Sequence, residues 1–167
     1  MVETSDSQQV WFIVSPQNPL KSAKSLAHEF DRYDMVQAAI DDGYNLRASD
    51  IEFNMPRPSY TVDTLAYLTD QHPEHDFSLI IGEDNLNNFP RWKNHQVILD
   101  NYGLYVYPRP ADAKPELASQ TNVQWVEAPI LDISATYIRN LVKQDKSIQY
   151  LVPDSVAQII KSRKLYI

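Results

Sequence analysis

FSLIIGEDNLNNFPRW, residues 77–92, is the stretch whose reading decides the fold class. Phe77 to Ile81 is an apolar run rich in strand-forming residues, and Gly82 ends it, so it reads as a buried strand. The polar Gly82-Glu83-Asp84-Asn85 and then Phe89-Pro90-Arg91-Trp92 make a loop at its carboxyl end.

Upstream, Val10 to Val14 (VWFIV) reads as a second buried strand, stopped by Ser15-Pro16-Gln17-Asn18-Pro19. Ser25 caps a predicted helix running to Ile40, with Leu26, Phe30, Tyr33, Val36 and Ile40 at three- and four-residue spacing. Asp50 to Phe53 is expected to be a short strand, closed by Asn54-Met55-Pro56-Arg57-Pro58. Thr61 caps a helix from Val62 to Gln71. Downstream, Val97 to Leu99 lies in a short helix, and Leu104 to Tyr107 is a strand ended by Pro108-Arg109-Pro110. Residues 111–122 form a loop, Val123 to Val126 a last strand, and Ala135–Lys143 and Asp154–Arg163 the closing helices. This alternation of strand and helix predicts one three-layer α/β domain over residues 1–167, with a mainly parallel sheet. Ligands in such sheets bind beyond the carboxyl ends of the strands.

Composition narrows the chemistry. Gly43, Gly82 and Gly103 are the 3 glycines in 167 residues, where an average chain of this length has about twelve. None clusters, which excludes a GxxxxGK[ST] phosphate loop and a G-x-G-x-x-G dinucleotide turn, because both need backbone close to phosphate. The formal charge of −7 offers no basic stripe for nucleic acid. Without cysteine there is no disulfide, thiol nucleophile or Cys-ligated zinc. The segment MVETSDSQQVWFIVS is neither a basic leader nor a signal peptide, and no window reaches the roughly 20 apolar residues of a membrane span. These features predict a soluble, cytoplasmic protein.

The strand-end loops hold the candidate site residues. Asn18 and Lys21 follow the first strand. Ser59, Tyr60 and Thr61 stand at a helix start with free backbone N–H groups. Gly82 and Asp84 follow FSLII, with Trp92 further on, and Arg109 follows the strand ending at Tyr107. Ser134, Thr136 and Arg139 open the helix after the last strand. Each also has a plain structural reading: caps for Ser59, Thr61 and Ser134, packing for Trp92, an exposed cation for Arg109. Convergence on one predicted sheet edge favours an anion site. His28, His72, His75 and His95 show no metal-ligand spacing, and no Ser-His-Asp or paired-carboxylate constellation appears.

The strings VWFIVSPQNPLK (10–21), PSYTVDTL (58–65), LIIGEDNLNNFPRW (79–92), Arg109-Pro110 and ISATYIR (133–139) resemble the nicotinate-nucleotide adenylyltransferase family of the nucleotidyltransferase superfamily. The likeness runs in order over nearly the whole chain. It implies a Rossmann-like fold and the reaction of ATP with nicotinate mononucleotide to give deamido-NAD and pyrophosphate, with Mg2+ on the phosphates. It further implies Asn18, Ser59, Tyr60, Thr61 and Trp92 on the mononucleotide, and Lys21, Gly82, Asp84, Arg109, Ser134, Thr136 and Arg139 on ATP. Small-molecule substrates are the expected partners, with no nucleic acid and no membrane.

One departure stands out. The family opens with a strand, a G-x-F-x-P-x-H-x-G-H loop and a helix, and these 167 residues contain no such motif. Val10 to Ser15 matches the family's second strand. The first strand and the start of the first helix are therefore expected to be missing, leaving no catalytic histidines, impaired turnover, and no shared neighbour between Val10–Val14 and Phe77–Ile81. Two other readings follow: a non-catalytic nicotinate-mononucleotide-binding protein, and a pantetheine-phosphate adenylyltransferase.

Overall fold

Two short apolar segments, VWFI and LYVY, nucleate two parallel sheets. A computed structural model describes residues 1–16, 26–41, 43–109 and 116–167. The described chain forms two compact units, one of residues 8–59 and 131–167 and one of residues 1–7 and 60–130.

In the first unit, β1 (Val10–Ile13) pairs in parallel with β2 (Leu46–Ser49), in a register from Val10 opposite Leu46 to Ile13 opposite Ser49. Parallel neighbours need a crossover, and α1 (Glu29–Ile40) provides it. α5 (Ala135–Lys143) and α6 (Asp154–Ser162) complete the unit. α6 is tied to α1 by Arg163, which pairs with Asp31 and Asp34 at 2.7 Å each, and by Ser155 Oγ, which donates to the Ala38 carbonyl at 2.8 Å.

Two expectations fail here. The second strand is Leu46–Ser49, not Asp50–Phe53. Val10 N–H donates to the Asn45 carbonyl and Val14 N–H to that of Ser49, so the ladder ends before Asp50. Ile51–Asn54 is instead a 3-10 turn, with Phe53 N–H on the Asp50 carbonyl at 2.8 Å. The turn directs the Phe53 ring edge-on to Phe30 and Tyr33, at 5.2 and 6.1 Å between centroids. The first helix also starts later. Its cap is His28, whose Nδ1 accepts from Phe30 N–H, and residues 26–28 are not helical. The predicted Ser25 cap lies outside the described residues.

In the second unit, β3 (Leu79–Gly82), β4 (Leu104–Tyr107) and β5 (Val123–Trp125) form a parallel sheet in that order. α2 (Thr61–Gln71), α3 (Glu83–Leu86) and α4 (His95–Asn101) accompany it. Val62 and Leu65 from α2, Ile98 and Leu99 from α4, and Ile81, Leu104, Val106 and Val123 from the sheet form one core with Leu86 and Phe89. Burying such side chains stabilises the unit by about 1.5–3 kcal/mol each. β3 begins at Leu79 rather than Phe77, which packs against the core from the strand's approach. The segment after Gly82 is one helical turn, not an open loop.

The α/β class and the parallel pairing are thus as expected. Among the described residues β1 and β3 belong to separate sheets. Among the described residues no helix is long and apolar enough to cross a membrane.

Candidate active site

The β3–β4 register builds the first cluster. Gly82 lies opposite Tyr107, so Asp84 and Arg109, each two residues further on, emerge side by side at the carboxyl edge. Gly82 has φ −79° and ψ 154°, open to any residue, so the glycine serves space rather than backbone freedom. A methyl group there would lie 2.5 Å from Asp84 Oδ1, 2.7 Å from Arg109 Cδ and 3.2 Å from Tyr107 Cζ. The Arg109 N–H also donates to Glu83 Oε2 at 3.4 Å. Asp84 and Arg109, two of the sequence-predicted ATP residues, therefore both crowd the third, Gly82.

The second cluster is Pro58-Ser59-Tyr60-Thr61. Tyr60 is the extended N-cap residue of α2, and no side chain caps the helix. The Tyr60 carbonyl accepts from the N–H groups of Asp63 and Thr64 at 2.9 and 3.0 Å. The N–H groups of Thr61 and Val62, ahead of these, have no carbonyl within the helix to donate to and carry the positive end of the helix dipole. The expected Thr61 cap is not formed, because Thr61 is already the first helical residue. Lys93 Nζ sits 4.6 Å from the centre of the Tyr60 ring and 2.8 Å from Asp63 Oδ2. Trp92 packs on Phe89, at 5.5 Å between centroids with the planes tilted by 53°.

Ser59 itself is buried, and its Oγ donates to Glu52 Oε2 at 2.6 Å. Ser15 Oγ donates to the same oxygen at 2.5 Å. Sequence reasoning missed Glu52. It stood in the expected strand 50–53, and no local signal marks a carboxylate whose serine partners lie 37 and 7 residues away.

The third cluster opens α5. Ser134 is a true N-cap, its Oγ accepting from Tyr137 N–H at 3.1 Å. One turn on, Arg139 Nη2 donates to Thr136 Oγ1 at 3.1 Å, and its guanidinium lies 6.0 Å from the Tyr166 ring centre. Burial pushes the Tyr166 phenol up, with the Arg139 charge opposing. Ser134 and Thr136 are exposed, so a hydroxyl, a guanidinium and helix N–H groups share one accessible turn. That is a donor set for phosphate.

Asn18 and Lys21 lie outside the described residues. Among the described residues no group of three or more His, Asp or Glu side chains could hold a metal ion. His95 packs edge-on to Phe89 at 5.9 Å, and His72 and His75 flank Glu74 at 3.5 and 3.6 Å.

Comparison with known proteins adds to this geometry. Residues 2–141 match the family described as cytidylyltransferase-like. A relative from Cytophaga hutchinsonii named "Probable nicotinate-nucleotide adenylyltransferase" is 61% identical over 166 residues, covering 99% of this chain and 86% of the relative. A Flavobacterium johnsoniae protein of the same name is 45% identical, over 99% of this chain and 87% of its own length. The fold matches that of the Plasmodium falciparum nicotinic acid mononucleotide adenylyltransferase complexed with NaAD. There the TM-score is 0.76 and the identity 18%, over 95% of this chain and 82% of the other. A family model spanning most of the residues and relatives this similar over almost the full chain lead to one assignment: the chain belongs to the nicotinate-nucleotide adenylyltransferases of the cytidylyltransferase-like family.

Proposed function

We propose that this chain binds nicotinate mononucleotide and ATP and joins them into deamido-NAD with release of pyrophosphate. A phosphate oxygen of the mononucleotide attacks the α-phosphorus of ATP in line. The bond from that phosphorus to the bridging oxygen breaks, and pyrophosphate leaves with the electron pair. No side chain becomes covalently attached, so the protein's contribution is positioning and charge stabilisation. The observation that carries the reading is the α5 turn, where Ser134, Thr136 and Arg139 present phosphate donors on an accessible helix start.

The other clusters take complementary parts. Ser59, Tyr60 and Thr61 set the start of α2 against the nicotinate carboxylate, whose negative charge suits the helix dipole. Trp92 stacks on the pyridine ring. Asp84 accepts from a ribose hydroxyl beside Gly82, and Arg109 takes the part of a cation for the ATP phosphates. Asn18 and Lys21 belong to the same reading as mononucleotide and phosphate contacts. The donor set fits magnesium carried on ATP, since this ion is held largely by substrate phosphates and water rather than by a protein cage. When bound it supplies charge neutralisation on the leaving pyrophosphate.

The 167 residues carry no H-x-G-H, so the reading assigns slow turnover to this chain. Product analysis tests it: deamido-NAD and pyrophosphate should appear one to one from ATP and nicotinate mononucleotide. An otherwise identical protein with G-x-F-x-P-x-H-x-G-H ahead of residue 1 should be faster, and equal rates would refute the impairment. Phosphopantetheine should give no product.

A further inference from the structure

Glu52 is 5% exposed, and one of its oxygens, Oε2, receives the hydroxyl protons of both Ser15 and Ser59, at 2.5 and 2.6 Å. Ser15 belongs to the loop leaving β1, whereas Ser59 ends the Arg57-Pro58-Ser59 turn that runs directly into α2. A serine hydroxyl has one proton to give. Once that proton is committed to Glu52, Ser59 offers a ligand only lone pairs, and it cannot donate to a carboxylate. Recognition of a ligand carboxylate then falls to the N–H groups at Tyr60 and Thr61. Those groups are covalently continuous with Ser59, and their direction depends on how Ser59 is held.

We propose that Glu52 is a positioning residue for acid recognition, acting through Ser59 to aim the backbone donors that open α2. This rests on the nicotinate reading above. A buried carboxylate oxygen is costly unless it is hydrogen-bonded, and two serines from separate loops both reach Oε2 only in one loop arrangement. Misaligned donors lose the energy specific to a carboxylate, while contacts to the ring, ribose and phosphate, common to acid and amide mononucleotides, remain. Glu52 therefore sets the preference for acid over amide rather than general affinity.

Calorimetric titration of nicotinate mononucleotide and nicotinamide mononucleotide into the 167-residue chain and its variants tests this. E52A should lower the acid-over-amide affinity ratio by roughly tenfold, with amide binding within about threefold of the parent (each tenfold step being about 1.4 kcal/mol). E52Q keeps a carbonyl oxygen able to accept both hydroxyls, so it should retain the ratio within about threefold. S15A leaves Glu52 in place and should lower the ratio by a smaller factor, which keeps the test open if E52A does not fold. An unchanged ratio in E52A and S15A overturns the proposal, as do equal losses for acid and amide, or an E52Q ratio as low as that of E52A. Failure of the parent chain to bind nicotinate mononucleotide overturns the functional reading instead.

Discussion

Gly82 and Arg109 face each other so closely across the β3–β4 edge that a methyl group on the glycine would lie 2.7 Å from Arg109 Cδ. The neighbouring Asp84 Oδ1 would be nearer still, at 2.5 Å. Both obstacles belong to side chains that can rotate away, and the glycine backbone is unstrained. G82A is therefore expected to leave the melting temperature nearly unchanged while displacing Asp84 and Arg109. ATP affinity, measured by calorimetry, should fall about tenfold or about 1.4 kcal/mol. Unchanged affinity would remove both residues from the nucleotide site.

Ser134 gives a different signature. Its hydroxyl oxygen caps α5 through Tyr137 N–H, and losing an N-cap of this kind costs about 1 kcal/mol. S134A should speed amide exchange in the first turn of α5 and weaken ATP binding together. S134T, which keeps the cap oxygen, should restore both. An α5 turn that exchanges as in the parent would contradict the cap.

The pH dependence of stability carries a third expectation. The Arg57 guanidinium, 2.8 Å from Glu29 Oε1, holds the Glu29 carboxyl below its ordinary value of 4.5. A carboxyl with a lowered folded-state pKa stabilises the fold above its unfolded value, and that contribution is lost as pH falls through the folded value. R57A should therefore narrow the stability gap between pH 7 and the acid limb of urea unfolding below 4.5. The effect should be small and weakened by salt, because Arg57 is half exposed. A parent and variant with parallel acid limbs would exclude the pairing in solution.

Phe89 tests the core that carries the second unit. Its side chain is fully buried among Leu86, Ile98, Leu99 and the sheet. F89A should cost about 3–5 kcal/mol, read as a lower urea midpoint. It should also loosen Trp92, which packs on the same ring, seen as a shift in tryptophan fluorescence.

The sequence made some of this legible and hid the rest for physical reasons. LYVY and VWFI declare themselves as strands because their apolar residues are continuous. Leu46-Arg47-Ala48-Ser49 does not, since Leu46 and Arg47 are exposed and the strand exists through its pairing with β1, not through its own composition. Gly82 stood out by residue type, yet the structure gives its small size a different immediate use, making room for Asp84, Arg109 and Tyr107. The Ser134–Arg139 turn was readable because capping and one-turn spacing are local rules. Glu52 was not, because its meaning lies in a serine far away in the chain. His28 replaced the expected Ser25 cap, since the helical pattern alone marks a helix face better than its first residue.

Adenylyl transfer to the acid mononucleotide is tested most directly by competition between the two mononucleotides. The chain should be given ATP and magnesium with equal amounts of nicotinate mononucleotide and nicotinamide mononucleotide, and the dinucleotides separated and quantified over time. Deamido-NAD should accumulate ahead of NAD, matched by pyrophosphate. NAD as the main product, or no dinucleotide from either substrate, would contradict it.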